Sequence, residues 1–203
     1  MADTTADQAL LTAASRDNVA GVRVALAEGA DVNARDNHGQ TALLFAVQHN
    51  DLALALELIQ NGADINAQAL NQDTPWLLAG ALGRTEMLAA MLETAKVDYA
   101  IRNRYGGNAL IPACERGHVD TVRLLLERSK IDVNHINNLG WTGLLEAVIL
   151  SDGGPRHVEI VRLLLAAGAD PNIADKEGVT PLQHARDRSY DAIAALIKDA
   201  GGK

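Results

Sequence analysis

The stretch GADVNA at residues 29–34 returns as GADINA at residues 62–67 and, with two changes, as GADPNI at residues 168–173. A second word recurs with the same spacing of about 33 residues. It reads TAL at 41–43, TPW at 74–76, NAL at 108–110, TGL at 142–144 and TPL at 180–182. Two words that agree in phase along a chain of 203 residues indicate a stack of similar helical units rather than one central core.

The two words mark where helices begin and end. The first residue of the second word is Thr or Asn, and its side-chain oxygen can accept a hydrogen bond from a free N–H of the following helix. We expect these N-caps at Thr41, Thr74, Asn108, Thr142 and Thr180. The Gly of the first word can turn left-handed and end a helix, and the Asp-x-Asn that follows favours a tight turn. Residues 94–98 and 129–132 lack this Gly, so those helices must end by another route.

Both words resemble the ankyrin repeat, a turn plus two helices with the signature TPLHxA. The resemblance covers nearly the whole chain. It implies an all-α ankyrin-repeat solenoid of about six helix-turn-helix units with β-turn tips, forming a single domain over residues 1–203. The repeats are predicted at residues 5–35 (N-terminal cap), 36–68, 69–102, 103–136, 137–174 and 175–203 (C-terminal cap). Repeat five carries an insertion at residues 150–156 between its two helices.

The chain departs from the family signature at its His, which is replaced by Leu, Ile or Gln in every copy. We therefore expect apolar packing, rather than His hydrogen bonds, to hold successive turns together. Trp76 takes the Leu position of the signature and is predicted to lie in the core. Tyr99 replaces the Val or Ile of the turn and is also predicted to be structural.

Composition limits the function classes. The net charge is −8 and no basic stripe is present, which argues against a nucleic-acid partner. No apolar run reaches about 18 residues, so no membrane span is expected. The first residues lack the pattern of a signal peptide, which predicts a cytoplasmic chain. Cys114 is the only cysteine and is predicted to be a small buried apolar residue.

The sequence offers no convincing constellation for catalysis. We find neither a nucleophile elbow nor a convincing acid–base pair, and most of the acidic residues are assigned to turns and helix surfaces. No two of the six histidines have metal-ligand spacing on one helix, and the one alternative is a weak metal pair of His38 and His49 in repeat two. The Gly-rich insertion at 150–156 matches neither the phosphate-loop motif nor the dinucleotide fingerprint. We expect no enzymatic activity, no metal and no cofactor.

In ankyrin proteins the partner usually lies in the concave groove, against the turn tips and first helices. The resemblance therefore implies a monomeric chain that binds a partner protein there. The predicted partner-binding residues are His38, Gln40, Leu70, Asn71, Arg104, Tyr105, Arg116, Asn138, Leu139 and Trp141. Trp, Tyr and Arg are enriched in binding hot spots, which centres the groove on repeats four and five, with the insertion as one rim. Alternatively, Tyr105 and Trp141 stack on neighbouring turns and brace the stack.

Two other functions stay open from the sequence. The first is a structural role through self-association of the stack, against which a monomer mass independent of concentration would argue. The second, less favoured, is a small-molecule-binding or enzymatic protein that uses the insertion of repeat five. A deep pocket lined by titratable groups would favour it. The fold by itself does not decide between these functions.

Overall fold

The computed structural model describes residues 4–203, which form twelve α-helices and no β-strand. The helices are α1 (Thr4–Ser15), α2 (Val19–Ala27), α3 (Ala42–His49), α4 (Leu52–Gln60), α5 (Pro75–Leu82), α6 (Thr85–Glu93), α7 (Leu110–Glu115), α8 (Val119–Arg128), α9 (Gly143–Ile149), α10 (Pro155–Ala166), α11 (Pro181–Asp187) and α12 (Asp191–Asp199). Each of the six predicted repeats contains two consecutive helices. The prediction of an all-α helical-hairpin stack is confirmed.

The helix starts follow the predicted caps. Thr74 Oγ1 accepts a hydrogen bond from the backbone N–H of Leu77 at 3.1 Å, and the other three capping threonines do the same three residues ahead. Asn108 Oδ1 accepts from two N–H groups of α7, at 3.1 and 3.2 Å. Pro75 and Pro181 are the first residues of α5 and α11, where no N–H is needed.

The helix ends follow two different routes. Gly29, Gly62 and Gly168 have φ angles of 90°, 87° and 89°, which confirms the predicted left-handed ends. Where this Gly is missing, a hydroxyl side chain takes over. Thr94 Oγ1 donates to the carbonyl oxygen of Met91 and accepts from the N–H of Lys96. Ser129 does the same between the carbonyl oxygen of Leu125 and the N–H of Ile131.

Contacts divide the chain into two compact units, one ending at Arg104 and the other running from Tyr105 to Lys203. In the N-terminal unit α1, α3 and α5 pack side by side, and each packs against the helix that follows it in the chain. In the C-terminal unit α7, α9 and α11 form the corresponding layer, and α8, α10 and α12 form the second. The prediction of a single domain over residues 1–203 stays a prediction.

The core of each unit is aliphatic, as the low aromatic content requires. Fully buried side chains of the N-terminal unit include Leu43, Leu58 and Leu88, and those of the C-terminal unit include Leu125 and Leu164. Trp76 is buried and meets the ring of Tyr99 edge-on, with ring centroids 6.0 Å apart. Both aromatic residues therefore have the structural role that was predicted.

Hydrogen bonds also connect successive turns, in addition to the expected apolar packing. Asn66 Nδ2 donates to the carbonyl oxygen of Lys96 at 2.7 Å, and its Oδ1 accepts from the N–H of Asp98 at 2.9 Å. The asparagine ladder formed by such residues consists of Asn33, Asn66, Asn134 and Asn172. Each ladder residue bridges a stretch of about thirty residues, so it links one repeat to the next.

Removing one ladder amide should destabilise the stack. We expect Asn66→Ala to lower the free energy of unfolding by about 2 kcal/mol, because two hydrogen bonds between repeats are lost. The matched control is Asn61→Ala, which removes only a bond to the carbonyl oxygen of Glu57 one turn earlier. Urea denaturation of both variants measures the difference. Equal losses would show that the bridging position contributes nothing extra.

Candidate protein-binding surface

A turn, called the tip from here on, precedes the first helix of each repeat after the first. Each tip has the number of its repeat, so tips two to six lie at residues 36–41, 69–74, 103–108, 137–142 and 175–180. In tip two, Asp36 Oδ1 accepts from the N–H groups of His38 and Gln40, both at 2.8 Å. The N–H of Gly39 donates to the carbonyl oxygen of Asp36, which closes a β-turn. Asn137 and Asp175 organise tips five and six through the same side-chain bonds.

The predicted binding residues of tips two and three lie together in the N-terminal unit. His38, Gln40, Leu70 and Asn71 line one shallow depression with a volume of about 370 Å³. The N–H of Leu70 donates to the carbonyl oxygen of His38 at 2.9 Å, which joins the two tips. Leu70 is 77% exposed, so its side chain contributes little to packing. Arg104, at the end of the same unit, is also exposed.

In the C-terminal unit, large apolar side chains are exposed on two joined tips and at the residue that precedes the second of them. Tyr105, Ile136 and Leu139 are 50%, 49% and 47% exposed, and we call these three residues the apolar stripe. The N–H of Asn138 donates to the carbonyl oxygen of Tyr105 at 2.8 Å. His135 Nε2 is hydrogen-bonded to the carbonyl oxygen of Gly106 at 2.6 Å. The structure thus brings Tyr105, Asn138 and Leu139 together, and their contact with a partner stays a prediction.

Sequence reasoning missed Ile136. Its repeat position is polar or small elsewhere in the chain, so an exposed isoleucine there was a readable signal. The equivalent residues are Arg35, Gln68, Arg102 and Ala174.

Trp141 is less exposed than the three residues of the stripe. Its backbone is part of the tip: the N–H donates to Asn137 Oδ1 at 3.0 Å, and the carbonyl oxygen accepts from the N–H of Asn137 at 3.0 Å. These bonds fix the backbone of Trp141 within its own tip, and part of the indole is accessible. A contact of Trp141 with a partner stays a prediction.

Glu146 on α9 is a carboxylate that is only 5% exposed. Burial raises the pKa of Glu146 to about 7, and the negative charge of Glu115 acts in the same direction. A hydrogen bond from Asn137 and the positive charge of Arg116 oppose this rise. Glu146 therefore lies outside the turns and helix surfaces that account for most of the acidic residues. Its repeat position holds Phe45, Leu78 and Pro112 in other copies, which was the available sign of burial.

Asn137 connects Glu146 to the apolar stripe. Its Nδ2 donates to Glu146 Oε1 at 2.8 Å, while its Oδ1 accepts from the N–H groups of Leu139 and Trp141 at 2.9 and 3.0 Å. Glu146 thereby positions the tip that displays Leu139. In repeat six, His184 takes the position of Glu146 and Asp175 takes that of Asn137, and His184 Nε2 is hydrogen-bonded to Asp175 Oδ2 at 2.6 Å.

The insertion of repeat five is anchored rather than free. Tyr190 Oη donates to the carbonyl oxygen of Ser151 at 2.7 Å. His157 Nδ1 is hydrogen-bonded to Asp152 Oδ1 at 3.2 Å, and its Nε2 is hydrogen-bonded to the carbonyl oxygen of Glu115 at 3.1 Å. The bond from the Gly154 N–H and the contact with His157 lower the pKa of Asp152. Gly153 lies directly against the Tyr190 ring.

The remaining candidate chemistry finds little support in residues 4–203. Cys114 is fully buried, and this burial raises the pKa of its thiol well above the ordinary value, so it is not poised as a nucleophile. No group of three or more His, Cys, Asp or Glu residues in that range is arranged to hold a metal ion. His49, one member of the alternative metal pair, has its Nε2 hydrogen-bonded to the carbonyl oxygen of Ser15.

None of the helices within residues 4–203 combines the length and the apolar character that crossing a membrane requires.

Comparison with known proteins agrees with the repeat geometry. The sequence matches the family "Ankyrin repeats (3 copies)" over residues 1–69, 45–137 and 75–175. It is 42% identical to the ankyrin repeat protein YahD of Escherichia coli (strain K12), and the match covers 94% of each chain. It is 39% identical over 101 residues to cyclin-dependent kinase 4 inhibitor B of Bos taurus, which covers 48% of this chain and 71% of the relative.

A solved structure has the same fold over nearly the whole length. The crystal structure of an ankyrin repeat domain from Acinetobacter baumannii AYE superimposes with a TM-score of 0.90 and 49% sequence identity, covering 96% of this chain and 98% of that one. The predicted resemblance is thereby confirmed. The chain belongs to the ankyrin repeat family, whose repeats generally mediate protein–protein interactions and are typically non-catalytic.

Proposed function

We propose that this chain is a non-catalytic module that binds a partner protein through the tips and first helices of its repeats. The main contact is the apolar stripe of the C-terminal unit. The depression around Leu70 is a contact in the N-terminal unit. The observation that carries this proposal is the exposure of Tyr105 and Leu139 on two hydrogen-bonded tips, with exposed Ile136 directly before the second tip.

About half of each stripe residue is exposed to solvent. The tips are shaped by backbone bonds and by the Asn137 side chain, which do not require a large apolar residue at position 105, 136 or 139. Exposed apolar patches with polar surroundings commonly mark sites of protein interaction, and tyrosine is enriched among binding hot spots. The relative named as a kinase inhibitor supports a protein as the kind of partner.

We place the remaining predicted residues in a contact of the unit to which each belongs. Asn138 is exposed beside the stripe, and Arg116 is exposed at the end of α7. We place both in the contact, together with the accessible part of Trp141. His38, Gln40, Leu70 and Asn71 form the corresponding contact in the N-terminal unit. We propose that the chain binds its partner as a monomer and that no nucleic acid takes part.

The test is capture of a partner from native lysate, followed by measurement of its affinity. We expect the double variant Tyr105→Ser, Leu139→Ser to lose about 2 kcal/mol or more of binding free energy, which is about 30-fold in Kd, because the stripe supplies the buried apolar contact. Its melting temperature should stay close to that of the unchanged chain.

The matched control is Leu56→Ser, which removes an exposed leucine from α4. It should bind the captured partner as the unchanged chain does. If the double variant retains full affinity, the contact lies elsewhere. If the double variant loses stability and keeps affinity per folded molecule, the stripe braces the stack instead.

A further inference from the structure

The apolar stripe lies in a part of the chain that lacks carboxylates. The whole chain has 26 acidic and 18 basic residues, yet residues 99–114 and 133–145 contain no Asp or Glu. These two segments contain all three residues of the stripe. The other tips are different, because Asp36, Asp73 and Asp175 each place a carboxylate in their turn. An acidic protein thus displays its most apolar tips without negative charge.

A lysine is fixed directly beside the stripe. Lys176 Nζ donates to the carbonyl oxygen of Asn138 at 2.6 Å. Its aliphatic stem crosses Gly140, where a Cβ atom would lie 2.6 Å from Lys176 Cγ. Gly140 is therefore the residue that lets the lysine approach tip five, and Leu139 lies between the two contacts. An ammonium group has three N–H donors, and one of them is used by Asn138.

Two of the three acidic residues near this lysine are held by hydrogen bonds to other groups. Glu146 is buried and bonded to Asn137. Asp175 is bonded to His184 and to the backbone of its own tip. Glu177 is exposed and follows Lys176 in the chain, so it is the acidic group nearest in sequence to the cation.

We propose that the apolar stripe binds an apolar segment of the partner protein that carries aspartate or glutamate next to its apolar residues, with a partner carboxylate at Lys176. This proposal rests on the proposed function and adds the chemistry of the partner. A carboxylate placed beside Leu139 gains a charge-assisted hydrogen bond from Lys176. A basic segment would place its cation next to Lys176 and find no carboxylate in either tip segment.

The net charge of −8 does not prevent such a contact. At physiological salt the Debye length is about 8 Å, so charges elsewhere on the chain are largely screened at the stripe. Charge within the contact then decides which segments bind, because unlike charges across an interface give specificity.

The experiment is selection of displayed random 15-residue peptides on the intact chain at physiological salt. We expect enriched peptides to combine apolar residues with an excess of Asp and Glu, and to bind the Tyr105→Ser, Leu139→Ser variant much more weakly. Lys176→Gln should weaken an enriched acidic peptide by about fivefold, and the same peptide with its acids changed to amides should bind both proteins alike. The matched control is Lys130→Gln, an exposed lysine of the same unit.

Different results would overturn the acidic partner, the stripe as the binding site, or the role of Lys176. Neutral or basic peptides that still require Tyr105 and Leu139 would overturn the acidic partner and leave the proposed function standing. Acidic peptides that bind the double variant undiminished would overturn the stripe itself. Equal weakening by Lys176→Gln and Lys130→Gln would show a general charge effect and overturn the role of Lys176. Circular dichroism of each variant establishes that it is folded.

Discussion

Glu146→Gln is expected to raise the free energy of unfolding by about 2–3 kcal/mol at pH 8 and by less than about 1 kcal/mol at pH 5. In the folded chain the pKa of Glu146 is about 7, against an ordinary value of 4.5. The folded state therefore holds a proton that the unfolded state releases. The stabilisation from this proton is complete below pH 4.5 and is lost as the pH rises through 7.

Glutamine removes this pH dependence and keeps the local geometry. Its side-chain oxygen can still accept the hydrogen bond from Asn137 Nδ2, and its neutral amide is not repelled by Glu115. The charged groups that act on position 146 are Glu115 and Arg116, next to each other at the end of α7. Denaturant unfolding of both proteins at several pH values measures the difference.

Glu127→Gln provides the control, because Glu127 is an exposed carboxylate on α8 of the same unit. It should give no stability gain that grows with pH. A gain from Glu146→Gln of equal size at pH 5 and pH 8 would contradict the argument. A loss at pH 8 would mean that ionised Glu146 is stabilised by Arg116 more than it is destabilised by burial and by Glu115.

Gly153→Ala is expected to lower the free energy of unfolding by about 3 kcal/mol. Gly153 has a φ angle of +68°, which strains any residue with a side chain. In addition, a Cβ atom there would lie 2.4 Å from Cδ1 of the Tyr190 ring. The ring would have to move, and the hydrogen bond from Tyr190 to the carbonyl oxygen of Ser151 would be disturbed.

Gly178→Ala separates the cost of the positive φ angle from the cost of the contact with the Tyr190 ring. Gly178 has a similar φ angle of +79°, but no heavy atom lies within 4 Å of its would-be Cβ. This variant should lose only about 1 kcal/mol, the cost of the backbone conformation alone. Thermal unfolding of the two variants measures the gap. If both lose the same amount, the contact between the insertion and Tyr190 contributes nothing, and the insertion is a passive connection.

The features that sequence reasoning predicted are those that depend on a few consecutive residues. A Thr before an apolar run caps a helix wherever the run is helical, and a Gly at a helix end turns left-handed in any stack. Thr74, Gly29 and Gly62 behaved accordingly. The hydroxyls of Thr94 and Ser129 end their helices with equally local bonds, so that route was also within reach of the sequence.

The features that were missed depend on distance in the chain. Asn66 reaches a carbonyl oxygen 30 residues away, and no local propensity reveals which of the many asparagines will do so. Glu146 reads as a surface acid until its position is compared with the apolar residues of other repeats. For the binding surface, exposure at the tips could be foreseen from the repeat phase. The anchoring of Lys176 over Gly140 required the three-dimensional arrangement.

The asparagine ladder also bears on how such a chain grows. Each ladder residue offers an amide to one neighbouring turn and accepts from it, using main-chain groups that every repeat possesses. A duplicated gene segment of one repeat length that includes a ladder asparagine would therefore bring its own link to the next repeat, whose main chain already has the matching acceptor and donor. A compact unit can therefore gain a repeat without evolving a new interface, provided that the copied segment has the length of one repeat. Insertions of other lengths fall out of register, and that of repeat five is fastened by separate contacts, such as the bond from Tyr190.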